Sequence, residues 1–165
     1  MAASPQISEQ EWAVWRRFYA MRRQLDRALE QQLQGDSGIS GPDYEILVAL
    51  FDAPDRKLRA RELAEIIGWE KSRISHQVSR METRGLVERT ECETDLRGTW
   101  IGMTNEGKRT IFRAMRNHHD AIRRFFFDVL TDEEKELVSA ASGKVLDAIN
   151  PAACEVAESI EARRA

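Results

Sequence analysis

The sequence predicts a mainly α-helical chain carrying one small β-hairpin, and three observations lead there. Apolar residues recur at helical spacing along most of the 165 residues. That period gives way to short extended runs in one region, Val87 to Cys92 and Thr99 to Met103. The 9 Gly and 4 Pro are few, and most fall where a periodic stretch stops or starts. A chain of this length buries a full core without metals or disulfides, and 42% hydrophobic with 32% charged residues is the balance of an ordered, soluble protein. No stretch of about 18 apolar residues occurs, and Met1 to Gln10 lacks both a basic and an apolar segment, so no membrane span or secretory signal is expected and the place of work is the cytoplasm. Cys92 and Cys154 are too far apart for a zinc or thioredoxin-like spacing and read as reduced thiols.

Ser8 with Glu11 forms a capping box, in which hydroxyl and carboxylate satisfy the open amides of a helix start. Trp12, Trp15, Phe18, Tyr19, Leu25, Leu29 and Leu33 then share one broad face, and Gly35 and Gly38 end the helix. Ser40 caps a second helix, with Pro42 tolerated in its first turn and Tyr44, Leu47, Val48 and Phe51 facing inward; Ala53-Pro54-Asp55 stops it. Residues 60 to 67 make a short helix, Gly68 turns the chain, and residues 70 to 84 make the next, with Ile74, Val78 and Met81 on one face and Gly85 as left-handed cap. The two extended runs follow, joined by Glu93 to Gly98 as a hairpin wing. Thr104 precedes a helix from about 105 to 129, where Ile111, Met115, His118, Ile122, Phe125 and Val129 repeat at spacings of 4, 3, 4, 3 and 4, a heptad seam. Thr131 with Glu134 is a second capping box for a last helix through Leu137, Val138, Ala141, Val145 and Ile149, which Pro151 kinks or stops. The tail Ala152 to Ala165 can continue helically and fray.

The helix from Glu70 to Arg84 carries the chemistry. With its apolar side buried, the opposite side displays Ser72, Arg73, Ser75, His76, Ser79 and Arg80, with Gln77 among them. Hydroxyls and helix-start amides bind phosphates, and an arginine can take a guanine edge with both nitrogens. A solvated surface helix would mix Glu with Lys, and this face holds almost no acid. The overall charge of -3 hides an asymmetry: from Arg56 to Arg89 nine basic residues stand against five acidic ones. Phosphate attraction acts over roughly 8 to 10 Å, so such a local excess suffices for double-stranded DNA. On the wing, Arg97 beside Gly98 suits the narrow minor groove, with Asp95 placed to hold the guanidinium extended. The alternative for the wing is an ordinary turn with an exposed ion pair.

These features resemble the MarR family of bacterial winged helix-turn-helix regulators over about residues 12 to 150. The most specific stretches are Arg61-Glu62-Leu63-Ala64, Ser72 through Val78, Arg80 through Arg89, Asp95-Leu96-Arg97-Gly98 and Met103-Thr104-Asn105-Glu106-Gly107. The resemblance implies a mainly α winged helix-turn-helix with terminal dimerisation helices. It divides the chain into a dimerisation helix (1–39), a DNA-binding lobe (40–104) and further dimerisation helices (105–165). It also implies a major-groove contact from the helix carrying Ser72 to Arg80, a minor-groove contact from Arg97, and a homodimer that represses by occupying a promoter. Two-fold repetition fits DNA geometry, since half-sites ~34 Å apart in a pseudo-palindrome multiply the few base pairs one helix can read.

Other signals are weaker. His118-His119-Asp120 diverge by ~100° per residue on a helix, which disfavours a shared metal ion, and the resemblance makes His119, Arg123 and Asp128 a polar hinge. Trp12, Trp15, Tyr19, Tyr44 and Trp69 either pack in the core or line a pocket for a small aromatic effector, as in some members of the family. Cys92 reads as a structural thiol, though Arg89 and Arg97 beside it could favour the reactive thiolate. No phosphate loop, cofactor motif, metal cluster or nucleophile-base signature is present, so neither enzyme nor cofactor is expected. A winged helix used only for protein contact would expose apolar or aromatic anchors on residues 72 to 80, and these are missing.

Overall fold

The computed structural model describes residues 6–92 and 95–149, with side chains at all of these except 91, 92 and 95–98. α1 (Glu9–Ser37) opens on the expected capping box: Ser8 Oγ accepts from the Glu11 amide at 3.2 Å, and Glu11 Oε2 accepts from the Ser8 amide at 2.7 Å. The helix runs straight through Gly35, so Gly38 alone ends it, in the left-handed region at φ 66°. Ser40 repeats the device with Asp43 at the head of α2 (Gly41–Asp52), Pro42 lying in the first turn.

A strand absent from the sequence reading comes next. β1 (Lys57–Arg59) pairs antiparallel with β3 (Asp95–Met103), whose other edge takes β2 (Val87–Cys92), giving the order β1-β3-β2. Three residues are too few to show alternation, and Leu58 is the single buried side chain among them. The hairpin itself is tighter than expected on its return side, since strand pairing resumes at Asp95 opposite Cys92, with a register irregularity between Glu91 and Cys92.

α3 (Ala60–Ile67) and α4 (Lys71–Thr83) form the helix-turn-helix around Gly68 at φ 73°. Past α4 the Leu86 amide reaches back to the Met81 carbonyl at 3.0 Å, with Gly85 at φ 69° between them, which closes the open carbonyls of the helix end. Thr104 caps α5 (Asn105–Phe125) by accepting from the Gly107 amide at 2.9 Å, and its hydroxyl donates to the Gly85 carbonyl at 2.6 Å, so one side chain joins the wing to the next helix. Gly107 is required there, because a Cβ would stand 2.1 Å from the Leu86 carbonyl oxygen.

α5 stops at Phe125 rather than near 129, and a 3-10 turn (Phe127–Val129) replaces the expected last turn. Consecutive aromatics lose side-chain freedom in a helix, and outside it Phe126 and Phe127 meet edge to face at 5.2 Å. The heptad seam is therefore divided. Ile111 and His118 are buried against the same chain, while Phe125 and Val129 are exposed. Its inner half packs on α1, where His118 Nδ1 lies 2.9 Å from Gln32 Oε1 and Asn117 donates to Asp36 at 3.1 Å. α6 (Asp132–Ile149) begins on the expected Thr131–Glu134 capping box but buries none of its described side chains. Pro151, Cys154 and the tail lie outside the described residues.

The core lies between α2, α3, α4, the sheet and the first half of α5: Ile46, Leu47, Leu50, Leu63, Ile74, Val78, Met81 and Ile111 are all fully buried. At about 25 cal/mol per Å² of buried apolar surface, such side chains contribute roughly 1.5–3 kcal/mol each, and they hold α4 by one face so that the other is free.

Candidate nucleic-acid interface

On α4, burial of Ile74, Val78 and Met81 leaves Ser72, Arg73, Ser75, His76, Ser79 and Arg80 exposed, as the period predicts. Gln77 departs from that row. It is 5% exposed and donates through Nε2 to Asp43 Oδ1 at 2.6 Å, which removes it from the outer surface. Arg80 donates to the Gln77 side-chain oxygen, Oε1. Arg73 lies with its guanidinium carbon 3.7 Å from the centre of the Trp69 ring, a cation–π contact.

Two residues join this surface that sequence reasoning did not assign to it. Arg89, from β2, ion-pairs with Glu82 and donates to the Ser75 carbonyl at 3.2 Å and to Ser79 Oγ at 3.0 Å. It neutralises Glu82 and adds a guanidinium beside the hydroxyls. The strand period could have revealed it, because Arg89 shares a side with buried Val87 and so turns toward α4. Thr83, one turn beyond Ser79, continues the hydroxyl row and donates to the Ser79 carbonyl at 3.0 Å. The side chains of Asp95 and Arg97 are outside those described, as is that of Cys92.

Behind the face, Asp43 is wholly buried. Burial pushes its carboxyl up, but the Ser40 amide and the Arg84 guanidinium outweigh that and hold it below the ordinary aspartate value. Arg84 Nη1 donates to Asp43 at 2.7 Å and Nη2 to the Gly38 carbonyl at 2.6 Å, so the end of α4 is tied to the end of α1. A second α2 acid, Glu45, is raised by burial, an effect that Arg73 partly offsets.

The aromatic residues proposed as a pocket do not converge on one contact. Trp15 stacks with Tyr19 at 6.1 Å beside Trp12 along α1, Tyr44 packs on His118 at 4.5 Å, and Trp69 lies under Arg73. Burial, followed by the neighbouring His119 charge, keeps the His118 imidazole below the ordinary histidine value. Arg123 and Asp128 form an exposed ion pair at 3.3 Å. No group of three His, Cys, Asp or Glu residues is arranged to hold a metal ion among the described residues, and no described helix is long and apolar enough to cross a membrane.

A helix held by one face behind a three-stranded sheet, with an acid-poor hydroxyl and guanidinium surface outward, defines a winged helix-turn-helix DNA-binding protein. The chain belongs to the MarR family of transcriptional regulators, whose family model matches residues 37–98. It resembles Sco3205, a MarR family transcriptional regulator from Streptomyces coelicolor solved in complex with DNA, at 34% identity and a TM-score of 0.85, covering 92% of this chain and 94% of that one. AbsC, a MarR family regulator from the same organism, matches at 32% identity and a TM-score of 0.83 over 90% of this chain and 99% of its own. Among curated relatives, the HTH-type transcriptional repressor YetL of Bacillus subtilis is 26% identical over 133 residues, 81% of this chain and 78% of its length.

Proposed function

We propose that the chain is a cytoplasmic, non-enzymatic repressor that binds a pseudo-palindromic operator as a homodimer, with α4 in the major groove of each half-site and Arg97 of the wing in the minor groove. The observation that carries this is the outward face of α4: Ser72, Ser75, His76 and Ser79 form its middle, with Arg73 and Arg80 along one edge and Arg89 along the other. Hydroxyls there suit phosphates and arginines suit guanine edges, at ~1–3 kcal/mol of discrimination per good bidentate pair. The resemblance to a regulator solved on DNA supports the docking, and the likeness to a protein named as a repressor supports the sign.

Dimerisation rests on the chain ends. Phe18 on α1 and Leu137, Val145 and Ile149 on α6 are all exposed in the single chain, and a second copy related by a two-fold axis covers them. The proposed division is therefore 1–39 and 105–165 for association and 40–104 for DNA, with α5 bridging the two. An aromatic acid that releases the protein from DNA completes the proposal: Trp12, Trp15 and Tyr19 line an open hollow together with Arg16 and Arg23, rings and guanidiniums that such a ligand engages.

The test is selection of duplexes from a random pool, then titration of Arg80→Ala and Arg97→Ala against the selected site over a salt series. Each should weaken binding and flatten the salt dependence. Undiminished binding by both variants would refute the docking, and a site whose two halves are unrelated would refute the dimer.

A further inference from the structure

Gln77 occupies a place on α4 where its neighbours Ile74, Val78 and Met81 are apolar and fully buried. An amide so placed is unfavourable unless both of its ends are satisfied. Here both are, by partners of opposite kind: a carboxylate, which only accepts, and a guanidinium, which only donates. That chemistry leaves the amide one orientation, with Nε2 toward Asp43 and Oε1 toward Arg80.

We infer that Asp43 and Gln77 are positioning residues for Arg80, a buried relay that fixes its guanidinium at the edge of the α4 face before DNA is met. The inference rests on the reading of Arg80 as a DNA contact. Asp43 suits the role because its position is over-determined: Oδ2 accepts from the Ser40 amide at 2.9 Å and from Arg84 at 2.7 Å, leaving Oδ1 for Gln77 at 2.6 Å. Arg84 in turn holds the Gly38 carbonyl, so the anchor is fixed by both the end of α1 and the head of α2. A free arginine loses much rotamer freedom when it binds, and one held in place beforehand loses less. Arg73 is ordered by a different device, the Trp69 ring, so the two arginines along this edge of the helix are each held by a residue that does not itself face outward with them. Part of the specificity of α4 is thus set by α2, a helix on the far side of its buried face.

The experiment is a double-mutant cycle read as a preference ratio. Affinity is measured at fixed salt for a duplex selected with the wild-type protein and for a scrambled duplex of the same composition. The proteins are wild type, Arg80→Ala, Gln77→Met, Asp43→Asn and the two combinations with Arg80→Ala, each checked for cooperative thermal unfolding. Gln77→Met leaves the Ser40 and Arg84 bonds to Asp43 in place, so it carries the test if Asp43→Asn does not fold. The relay predicts that Gln77→Met lowers the ratio about tenfold, within the range a weakened arginine–guanine contact gives, and lowers it no further when Arg80 is already alanine. Equal losses in both backgrounds would reduce Gln77 and Asp43 to structural parts and overturn the inference. A ratio lowered by Arg80→Ala but untouched by Gln77→Met would overturn the relay while leaving the Arg80 contact standing. A ratio unmoved by Arg80→Ala would remove the contact itself, and the relay with it.

Discussion

The lobe between α2 and the first half of α5 and the two ends of the chain treat the same kinds of residue in opposite ways. In the lobe, Leu47, Leu50, Leu63, Ile74 and Ile111 have no exposure at all. On α6, Leu137 is 69% exposed and Ile149 76%, and on α1 Trp15 and Phe18 stand about half in solvent. Both regions are helical and both begin on well-formed caps, so local propensity is not what separates them. Most helical stability comes from tertiary packing of an apolar face rather than from propensity. The lobe has that packing within one chain, whereas the exposed apolar faces of α1 and α6 lack it among the described residues, which is the basis for proposing that association and DNA reading fall to different parts of the sequence.

That contrast can be broken at its strong side first. Leu50→Ala removes a fully buried side chain from the lobe, and chemical denaturation should show a loss of about 2–5 kcal/mol. Gly107→Ala should cost about 1–3 kcal/mol by the same measurement, because the clash with the Leu86 carbonyl exceeds the helix propensity that alanine gains. If either variant were neutral, the lobe would not be the rigid half.

The weak side is tested by charge. Leu146→Asp on α6 should leave the lobe folded by circular dichroism yet raise the dimer dissociation constant roughly tenfold or more in sedimentation equilibrium, as fits an apolar contact of ~1.5–3 kcal/mol. Unchanged association would place the partner surface elsewhere.

The junction of the two regions is expected to respond to pH. Burial keeps His118 below the ordinary histidine value, so the unfolded chain takes up this proton more readily than the folded one. Its contribution is fully present above the ordinary value, about 6.5, and is lost as pH falls from there toward the lowered folded value. His118→Gln should make the melting temperature fall less between about pH 8 and pH 5 than it does for the wild type. A parallel pair of curves would sink the assignment. The smallest effect is expected at Arg61→Ala, whose ion pair with Glu65 is exposed on both sides; it should leave the denaturation midpoint indistinguishable from that of the wild type.

Much of this architecture was legible in the residues. Ser8 with Glu11, Ser40, and Thr131 with Glu134 each cap the helix that the pattern assigns to them, and Gly68 and Gly85 turn the chain where expected. The exposed face of α4 follows from the period alone, except at Gln77. A polar residue on the flank of a helix is compatible with either side, and its partner Asp43 stands 34 positions earlier. The heptad pattern showed that α5 packs on a helix, but not that its inner half packs on α1 of its own chain.

The sequence by itself determined where the helices begin and which of them presents an acid-poor surface, because caps and periodicity act through neighbours a few residues apart. Only the tertiary structure decided what each surface meets: Gln77 against Asp43, Arg89 across to Ser75 and Ser79, the inner seam of α5 on α1, and an α6 with no buried side chain among the described residues. Those outcomes depend on the distance between segments remote in sequence, a quantity that no local pattern of residues contains.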